Sequence, residues 1–495
     1  MNHLPIVAQH VPTPTAAERS RAEQLATELS RERPELVTPD ELRDLVPQQI
    51  WEAPTLCLDD LSTIPLLDHA YDVRFMQDRA RLRAGDRDLV ASCTDVVEGY
   101  EQYCRDYLGL GNPTWLRPAG GAHPLCVAAA CWEDRGVRRK LVHAVRAGEL
   151  FYVHPHLGNR PVWELAQLLR EASRRPLQVI APPPALAAWA NDKIAFTGIV
   201  ERLFGSRFVP KTEQAANFAT LADRVRDLLA ESRLLILKLP DSAGGAGNVV
   251  LECEPFIGHS LEAIREQLKT SLAGLAWQGE RPVLISSWES PVLCSPSAQL
   301  WIPPIREGGP VVEGVYVQTL EGRDGVFVGS RPARLPAAIQ QELVDRCWLL
   351  ARLFQRLGYL GRCSFDLLLV GASPDAGRLE FIECNGRWGG TSLPMTLMNR
   401  LFGNWLAQPY AAREWSAAGL GELEFSDLLS AFASDLFDAR TGRGWLILYN
   451  PGRMHSHAGI NAITLGRTWE EAAERLQNEF PRRLQQAIQQ GRQAG

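Results

Sequence analysis

The pattern of apolar and polar positions changes its period several times along the 495-residue chain. Some long segments carry apolar residues at helical spacing, and short apolar runs of strand length lie between them. This alternation predicts a mixed α/β protein. The predicted helices cover residues 89–108, 162–172, 191–205 and 337–357, and the predicted strands cover residues 176–181, 234–239, 249–252 and 282–285.

The three prolines at residues 182–184 stop a predicted strand and mark the end of a first domain. A chain of this length exceeds what one hydrophobic core can organise, so two or three packed units are expected. The first fifteen residues, rich in Pro and Thr, are expected to form a loose arm. The last hundred or so residues are predicted to add a further α/β extension.

The formal net charge is −6, and basic residues form no cluster along the chain. We therefore expect a small-molecule substrate, with no nucleic-acid partner and no membrane surface. No apolar run approaches the roughly 18 residues that span a bilayer, and the first residues lack a signal-peptide pattern, so we expect a cytoplasmic protein. The ten cysteines show no zinc-ligand spacing.

A hairpin over residues 364–383 carries the most informative pattern. If its turn centres on Pro374 and Asp375, Asp366 faces Glu383 across the two strands. Like charges in direct opposition are destabilising, so a cation is expected between them. Asn385 would share the face of Glu383, and this all-oxygen set suits magnesium. The alternative is a solvent-facing acidic edge with a slipped register.

Arg387 follows in Gly386-Arg-Trp-Gly-Gly-Thr-Ser392. Its guanidinium could bind a phosphoryl group or a carboxylate in bidentate fashion, and the glycines would let backbone approach a ligand. An arginine paired with a surface acid before an ordinary turn is the alternative.

Lysine is rare here, with five lysines against 47 arginines among the 52 basic residues. Lys238 ends an apolar strand before a glycine-rich turn at residues 241–248, and Lys193 opens a predicted helix. A compact ammonium suits a phosphate, and the turn could fold over phosphates with its N–H groups. The turn lacks the Walker and dinucleotide-binding spacings, and an ordinary hairpin turn is the alternative.

The order of these features resembles the ATP-grasp superfamily over about residues 182–399. The resemblance implies an α/β chain in four parts. An N-terminal α/β pre-ATP-grasp domain precedes a two-lobed ATP-grasp fold with a glycine-rich lid, and a C-terminal α/β extension follows. These parts are the pre-ATP-grasp domain at residues 1–180, the first lobe and lid at 181–283, the second lobe with the metal site at 284–400, and the extension at 401–495.

The resemblance also implies roles for individual residues. Asp366, Glu383 and Asn385 match the magnesium ligands, and Arg387 matches the arginine that stabilises an acyl phosphate. Arg331 is a further candidate for binding substrate carboxylate or phosphate. The residues implied to bind ATP are Lys193, Lys238, the lid residues Ser242, Gly244, Gly245 and Gly247, and the hinge residues Ser287, Trp288 and Glu289. This hinge departs from the usual acidic or aliphatic pattern.

The implied activity is an ATP- and Mg²⁺-dependent, ADP-forming ligase that joins a carboxylate to an amine through an acyl phosphate. The carboxylate would belong to a small molecule or a peptide, and the run at residues 383–392 looks most like the peptide ligases of natural-product pathways. A kinase and a non-catalytic nucleotide-binding module are the alternatives, and the resemblance leaves a homodimer open. No general base is evident. Five candidates are His123, His154, His156, His455 and His457, but a lone histidine is more often structural or simply exposed. His455 and His457 share a strand face at most.

Overall fold

The computed structural model describes residues 4–65, 73–119, 124–230, 232–240, 242, 247–274, 277–322 and 325–494. Three sheets and the helices around them make up the chain, in the mixed α/β arrangement that the apolar pattern predicts. None of the helices in the described part of the chain is long and apolar enough to cross a bilayer.

The N-terminal sheet is parallel and has the strand order β3-β2-β1-β4-β5. Its strands are β1 (Thr55–Leu58), β2 (Leu89–Ala91), β3 (Thr114–Leu116), β4 (Phe151–Pro155) and β5 (Leu177–Val179). The helices of this region are α2 (Tyr100–Asp106), α3 (Val127–Glu133), α4 (Arg135–Ala147) and α5 (Arg160–Ser173), and a 3-10 helix covers Arg74–Arg83. The helix predicted over residues 89–108 is wrong in its first part, because the apolar residues 89–91 pair with β1 as a buried strand.

The first lobe has a four-stranded antiparallel sheet of order β6-β9-β7-β8. Its strands are β6 (Thr212–Ala215), β7 (Leu234–Lys238), β8 (Asn248–Glu252) and β9 (Val283–Ser287). Helices α8 (Phe218–Leu228) and α9 (Leu261–Ser271) pack on this sheet, whereas α6 (Pro184–Asn191) and α7 (Lys193–Phe204), which precede it, add their buried residues to the core of the second lobe. Because β9 runs on to Ser287 within this sheet, the predicted boundary at residue 283 falls inside a strand.

The third sheet has nine strands and joins the second lobe to the C-terminal extension. Strand β14 pairs with β15 on one side and with β10 and β11 on the other, and the order continues β11-β12-β13-β16-β18-β17. The strands are β10 (Val292–Cys294), β11 (Pro296–Ile302), β12 (Val311–Glu321), β13 (Val326–Pro332), β14 (Gly361–Val370), β15 (Arg378–Asn385), β16 (Tyr410–Ser416), β17 (Leu446–Tyr449) and β18 (Gly459–Leu465). The helices are α10 (Ala337–Arg356), α11 (Ser392–Phe402), α12 (Phe425–Ala431), α13 (Arg453–His457), α14 (Trp469–Glu474) and α15 (Phe480–Ala494).

The N-terminal segment does not pack with the domain to which it was assigned. Helix α1 (Ala16–Glu32) lies against α10 and contributes Leu25 and Leu29 to the core of the second lobe. The predicted loose arm is also wrong for its described part. The Gln9 N–H donates to Val312 O at 3.3 Å, and the Thr13 N–H donates to an oxygen of Asp345. Early residues thus fasten the chain across the second lobe.

Candidate active site

The β14–β15 hairpin has the register that the sequence predicts at the position that matters. Asp366 pairs with Glu383, and Ser364 pairs with Asn385. Nearer the turn the pairing shifts by one residue, with Leu367 opposite Phe381, so a β-bulge separates the two registers. The bulge lies next to Asp366 and Glu383, and it sets which side chains of β15 face the cavity.

Asp366 is a buried carboxylate with a like charge beside it. It is 9% exposed, and its Oδ1 accepts a hydrogen bond from Ser297 Oγ at 2.6 Å. Burial, and then the charge of Glu383, raises the pKa of Asp366 to about 7. The carboxylate pair is therefore electrostatically frustrated and favours a nearby cation.

Glu383 shows the opposite balance. Burial opposes its ionisation, but the nearby Lys193, Arg387 and Lys238 outweigh burial and lower the pKa of Glu383. Glu383 is therefore the member of the pair that stays ionised. Its partner Asp366 is the one that needs additional positive charge.

Asn385 links this carboxylate pair to Arg387. Its Nδ2 donates to Asp366 Oδ2 at 2.9 Å and to Glu383 Oε1 at 3.3 Å, while its Oδ1 accepts from Arg387 Nη2 at 2.6 Å. The amide NH₂ thus faces both carboxylates. For Asn385 to offer its oxygen to a cation, the amide would have to turn over.

Lys193 reaches the hairpin from the start of α7. It is 4% exposed, and its Nζ donates to Ser242 O at 2.7 Å and lies 3.4 Å from Glu383 Oε2. Asp192 caps the helix by accepting from the Ala195 N–H at 2.8 Å. The cap fixes where the helix begins, and so fixes the position from which the lysine side chain extends.

Lys238 ends β7 with its side chain buried at 8% exposure. Burial, together with the charge of Lys193, lowers its pKa to about 8, although Glu383 acts in the other direction. Two ammonium groups at one site are costly unless an anion joins them. A phosphate chain would supply that anion.

Arg387 is held by two amides at the end of β15. Its Nη1 donates to Asn191 Oδ1, and its Nη2 donates to Asn385 Oδ1. Asn191 Oδ1 also accepts from the Gly386 N–H at 3.1 Å. Asn191 is the last residue of α6, so the Asn-Asp-Lys stretch positions both an arginine and a lysine.

The hinge residues follow the end of β9. The Ser287 N–H donates to Lys211 O at 2.9 Å, and the Trp288 N–H donates to Leu234 O at 3.0 Å. Glu289 makes an ion pair with Arg378 Nη2 at 2.5 Å. A ribose bound to Glu289 would therefore share the carboxylate with Arg378.

The lid turn is described in part. Ser242 is buried, with its Oγ donating to Leu239 O at 3.0 Å, and Gly247 O accepts from the Leu239 N–H at 2.9 Å. Gly244 and Gly245 lie outside the described residues. The base of the turn is thus tied to the end of β7, close to Lys193.

Arg331 is not brought into this group. It lies on β13 opposite Val317, its side chain is exposed, and it is not among the residues that line the cavity described next. The neighbouring strand turns Gln318 toward the cavity, so Arg331, paired with the preceding residue, faces away.

A cavity of about 1140 Å³ joins the predicted residues to others that the sequence did not single out. Its walls come from the N-terminal domain, both lobes and the C-terminal extension. The predicted residues on its wall are Lys193, Lys238, Ser287, Trp288, Glu289, Asp366, Glu383, Asn385 and Arg387. Further lining residues include Arg79, His156, Asn248, Ser297, Gln318, Arg413, Arg453 and Asn461.

The donor set fits a hard divalent cation that is shared with a ligand. Two carboxylates and one amide oxygen make an all-oxygen set that leaves room for ligand oxygens, as magnesium prefers. Among the described residues there is no group of three or more His, Cys, Asp and Glu side chains that could hold a metal ion by themselves. A cation here would therefore complete its coordination with the ligand or water.

Comparisons with models of protein families and with curated proteins give no match. Solved structures do match. An ADP complex of N5-carboxyaminoimidazole ribonucleotide synthetase aligns with a TM-score of 0.52 and 14% identity, covering 86% of this chain and 96% of that one.

Two other matches have lower TM-scores. The Staphylococcus aureus N5-carboxyaminoimidazole synthetase aligns at 0.49 with 10% identity, over 87% of this chain and 98% of that one. The biotin carboxylase domain of the Hydrogenobacter thermophilus 2-oxoglutarate carboxylase aligns at 0.45 with 12% identity, over 79% and 82%. The fold assignment rests on the synthetase ADP complex, and at 14% identity that similarity extends to the fold alone. The predicted fold class is confirmed: the chain has the ATP-grasp fold.

Proposed function

We propose that the chain is an ATP-dependent, ADP-forming ligase that joins a small-molecule or peptide carboxylate to an amine. The observation that carries the proposal is one cavity in which two opposed carboxylates, two buried lysines and an amide-held arginine converge. The two carboxylates repel each other, and so do the two ammonium groups. The group as a whole therefore favours a ligand that brings both phosphate and a divalent cation.

The two lysines are proposed to bind the phosphate chain. Lys193 extends from the start of α7 and Lys238 from the end of β7, and the charges of both act on Glu383 of β15. Ser287, Trp288 and Glu289 are proposed to bind the nucleoside, and Ser242 with Gly247 to anchor the lid over the phosphates. Binding energy from the nucleoside then positions the terminal phosphate against the hairpin.

Magnesium, held by Asp366, Glu383 and Asn385, would neutralise phosphate charge when bound. The chain's own contribution is to orient the substrate carboxylate, whose oxygen attacks the terminal phosphorus of ATP and displaces ADP. Arg387 is proposed to stabilise the resulting acyl phosphate with its planar guanidinium. Attack by the amine then releases phosphate and forms the amide.

A screen with hydroxylamine tests this proposal without knowledge of the natural amine. Hydroxylamine intercepts acyl phosphates as hydroxamates, so ADP release and hydroxamate formation are measured together over a panel of amino acids, hydroxy acids and short peptides. We expect at least one carboxylate to give ADP and hydroxamate in equal amounts, in the presence of Mg²⁺ only.

The products distinguish the proposal from its rivals. AMP with pyrophosphate would reject the acyl phosphate route, and a stable phosphorylated product without hydroxamate would indicate a kinase. If ATP binds but no compound in the panel stimulates its turnover, a nucleotide-binding module becomes the better account. The natural-product role inferred from residues 383–392 stays a proposal. The carboxylate that the enzyme accepts in this screen would indicate the pathway in which it acts.

A further inference from the structure

Two polar residues stand at the carboxyl ends of adjacent strands in the N-terminal sheet. Asp59 follows β1 and His156 follows β4, and these strands pair in parallel. In the order β3-β2-β1-β4-β5 the direction of winding reverses between β1 and β4. Open parallel sheets bind their ligands in the crevice at this point, beyond the carboxyl ends of the strands.

The two side chains face each other and are both buried. Asp59 is fully buried and His156 is 5% exposed. Asp59 Oδ2 lies 3.8 Å from His156 Nδ1, and neither atom has a hydrogen-bond partner within the described part of the chain. The other oxygen, Oδ1, accepts from Arg83 Nη2 at 2.7 Å, which fixes the carboxylate.

His156 also lies next to the proposed acyl phosphate site. Its carbonyl oxygen accepts from the Trp388 N–H at 3.1 Å, and Trp388 directly follows Arg387. The guanidiniums of Arg83 and Arg362 both pack over the Trp388 ring, 5.0 and 4.9 Å from its centroid. This packing holds the crevice of the N-terminal sheet against the end of β15, and His156 and Arg387 line one cavity.

We propose that His156 is the base that accepts a proton from the amine substrate, and that Asp59 positions its ring. The proposal rests on the proposed ligase function. In the proposed pair, Asp59 Oδ2 accepts from Nδ1–H once the 3.8 Å gap closes, which selects the tautomer with an unprotonated Nε2 directed to the cavity. Carboxylate and imidazole need a small movement to reach hydrogen-bond distance, as is common for catalytic pairs before substrate binds.

The proton balance is as follows. The amine arrives as an ammonium ion and gives one proton to Nε2, which makes His156 an imidazolium. The neutral amine attacks the carbonyl carbon of the acyl phosphate, the C–N bond forms, and the C–O bond to phosphate breaks with its electron pair. The second amine proton leaves on the phosphate as hydrogen phosphate, and His156 returns its proton to solvent.

The charges around His156 suit a base whose pKa is low in the free protein and rises when the substrate binds. Burial first, and then the arginines Arg79, Arg387 and Arg83, lower the pKa of His156 well below its ordinary value, so the ring is neutral before substrate binds. An acyl phosphate beside Arg387 offsets part of this positive charge. His156 therefore becomes more basic when the intermediate that the amine must attack is in place.

Among the described residues, the other candidate histidines lack this combination. His154 accepts from Trp388 Nε1 at 3.3 Å and is not on the cavity wall. His457 lines the cavity but is half-buried against Phe75, with Nδ1 2.7 Å from Ser456 Oγ, and His455 is an exposed residue near Glu424. Both lie on the short helix α13, not on a shared strand face. His123 lies outside the described residues.

Nitrogen NMR of protein labelled on its histidine rings tests the pair without any substrate. The His156 signal is identified as the one missing from His156→Gln. We expect Nδ1 protonated and Nε2 unprotonated at pH 7.5, and Asp59→Asn should shift the ring toward the opposite tautomer. An Nε2–H tautomer or a doubly protonated ring in the wild type would overturn the proposal, whether or not Asp59→Asn folds.

Nucleophile choice gives the kinetic test. Hydroxylamine is largely unprotonated at neutral pH and does not need a base, whereas the α-amines of amino acids do. We expect His156→Gln to slow amide formation with amino acids by about 10²- to 10⁴-fold and to leave hydroxamate formation within a few-fold of wild type. The exposed His455→Gln serves as the matched control, with neither rate changed.

The outcomes separate this inference from the ligase proposal. Equal loss of hydroxamate and amide formation in His156→Gln would assign His156 a role before amine attack and reject it as the base. Unchanged amide formation would reject it as well. If wild type makes no hydroxamate at all, the ligase proposal fails, and the tautomer measurement still decides whether Asp59 and His156 form the proposed pair.

Discussion

The two ends of the cavity arrange their charges in opposite ways. At the hairpin end, Asp366 and Glu383 face each other, and the charges of Lys193, Arg387 and Lys238 oppose that of Glu383. At the N-terminal end, the Asp59 carboxylate lies within ion-pair distance of both Arg79 and Arg83. The first end therefore favours a cation and the second favours an anion, so a substrate such as metal-bound ATP with a carboxylate would satisfy both.

The two ends also differ in how far apart their residues are in the chain. The hairpin residues lie within twenty positions of one another, so strand pairing alone brings them together. Asp59 and His156 are almost a hundred residues apart and meet only because β1 and β4 pair in parallel. The residues of the hairpin end are therefore brought together by local sequence, and those of the N-terminal end by the topology of the sheet.

Removing a hairpin carboxylate should give the largest effect on turnover and should leave the N-terminal end of the cavity unchanged. We expect Glu383→Gln to lower Mg²⁺-dependent ADP release on the order of 10³-fold, because it removes a proposed magnesium ligand and a partner of Lys193. The NMR signal of His156 should keep its tautomer. Asp375→Asn, in the exposed turn of the same hairpin, is the control and should retain wild-type turnover. Comparable turnover in both variants would refute the assignment.

Truncating Trp388 should break the connection between the two ends. Its ring is 2% exposed and packs against the guanidiniums of Arg83 and Arg362, so Trp388→Ala leaves a void and two less well-packed guanidiniums. We expect a loss of about 3 kcal/mol in the free energy of unfolding, measured by urea denaturation. Trp51→Ala, at an exposed tryptophan, should change stability by no more than about 0.5 kcal/mol. Equal stabilities of Trp388→Ala and wild type would show that the packing of Trp388 on the two arginines contributes little to the free energy of unfolding.

Lys238 is expected to lower the free energy of unfolding of the nucleotide-free protein and to strengthen ATP binding. Its folded-state pKa of about 8 lies below the ordinary 10.5, so the stability it contributes above pH 10.5 is lost as the pH falls through 8. At pH 7 the nucleotide-free Lys238→Met variant should be more stable than wild type by about 2 kcal/mol and should bind ATP more weakly. The gain should shrink toward pH 10. Lys269→Met, on the surface, should show neither change.

Asp366 gives the smallest expected effect, with the opposite dependence on pH. Its folded-state pKa of about 7 lies above the ordinary 3.8, so its contribution to stability is present below pH 3.8 and is lost as the pH rises through 7. In EDTA, Asp366→Asn should therefore gain about 1 kcal/mol over wild type between pH 5 and pH 8. A gain that falls over the same interval would contradict the raised pKa of this carboxylate.

The sequence predicted the hairpin end well, for reasons that can be stated. Opposed β-rich runs around a turn placed Asp366 against Glu383, and the rarity of lysine drew attention to Lys193 and Lys238. The assumed register was right at the site although the turn itself is shifted by one residue, because a bulge restores the pairing. A sequence pattern does not give the orientation of a side-chain amide. The donation from Asn385 Nδ2 to Asp366 was therefore not predicted.

The N-terminal end could not be predicted in the same way. Arg79, Asp59 and His156 belong to no local motif, and His156 was one of five histidines of which none was singled out as the base. A signal did exist: Leu56-Cys-Leu-Asp59 and Tyr152-Val-His-Pro-His156 each end an apolar strand with a polar residue, as ligand-binding strands of parallel sheets do. Strand order was needed to use it. The packing of α1 on the second lobe likewise depends on a contact far along the chain.

Calorimetric titration with ATP tests the central claim most directly, because it needs no carboxylate or amine substrate. Wild-type protein and Glu383→Gln are each titrated with ATP in excess Mg²⁺ and again in EDTA. The proposed site predicts binding by the wild type that weakens at least about tenfold in EDTA, and a Glu383→Gln variant that has lost most of this magnesium dependence. Wild-type ATP affinity that is the same in Mg²⁺ and EDTA, or that Glu383→Gln leaves unchanged, would contradict a magnesium–nucleotide site between the hairpin and the two lysines.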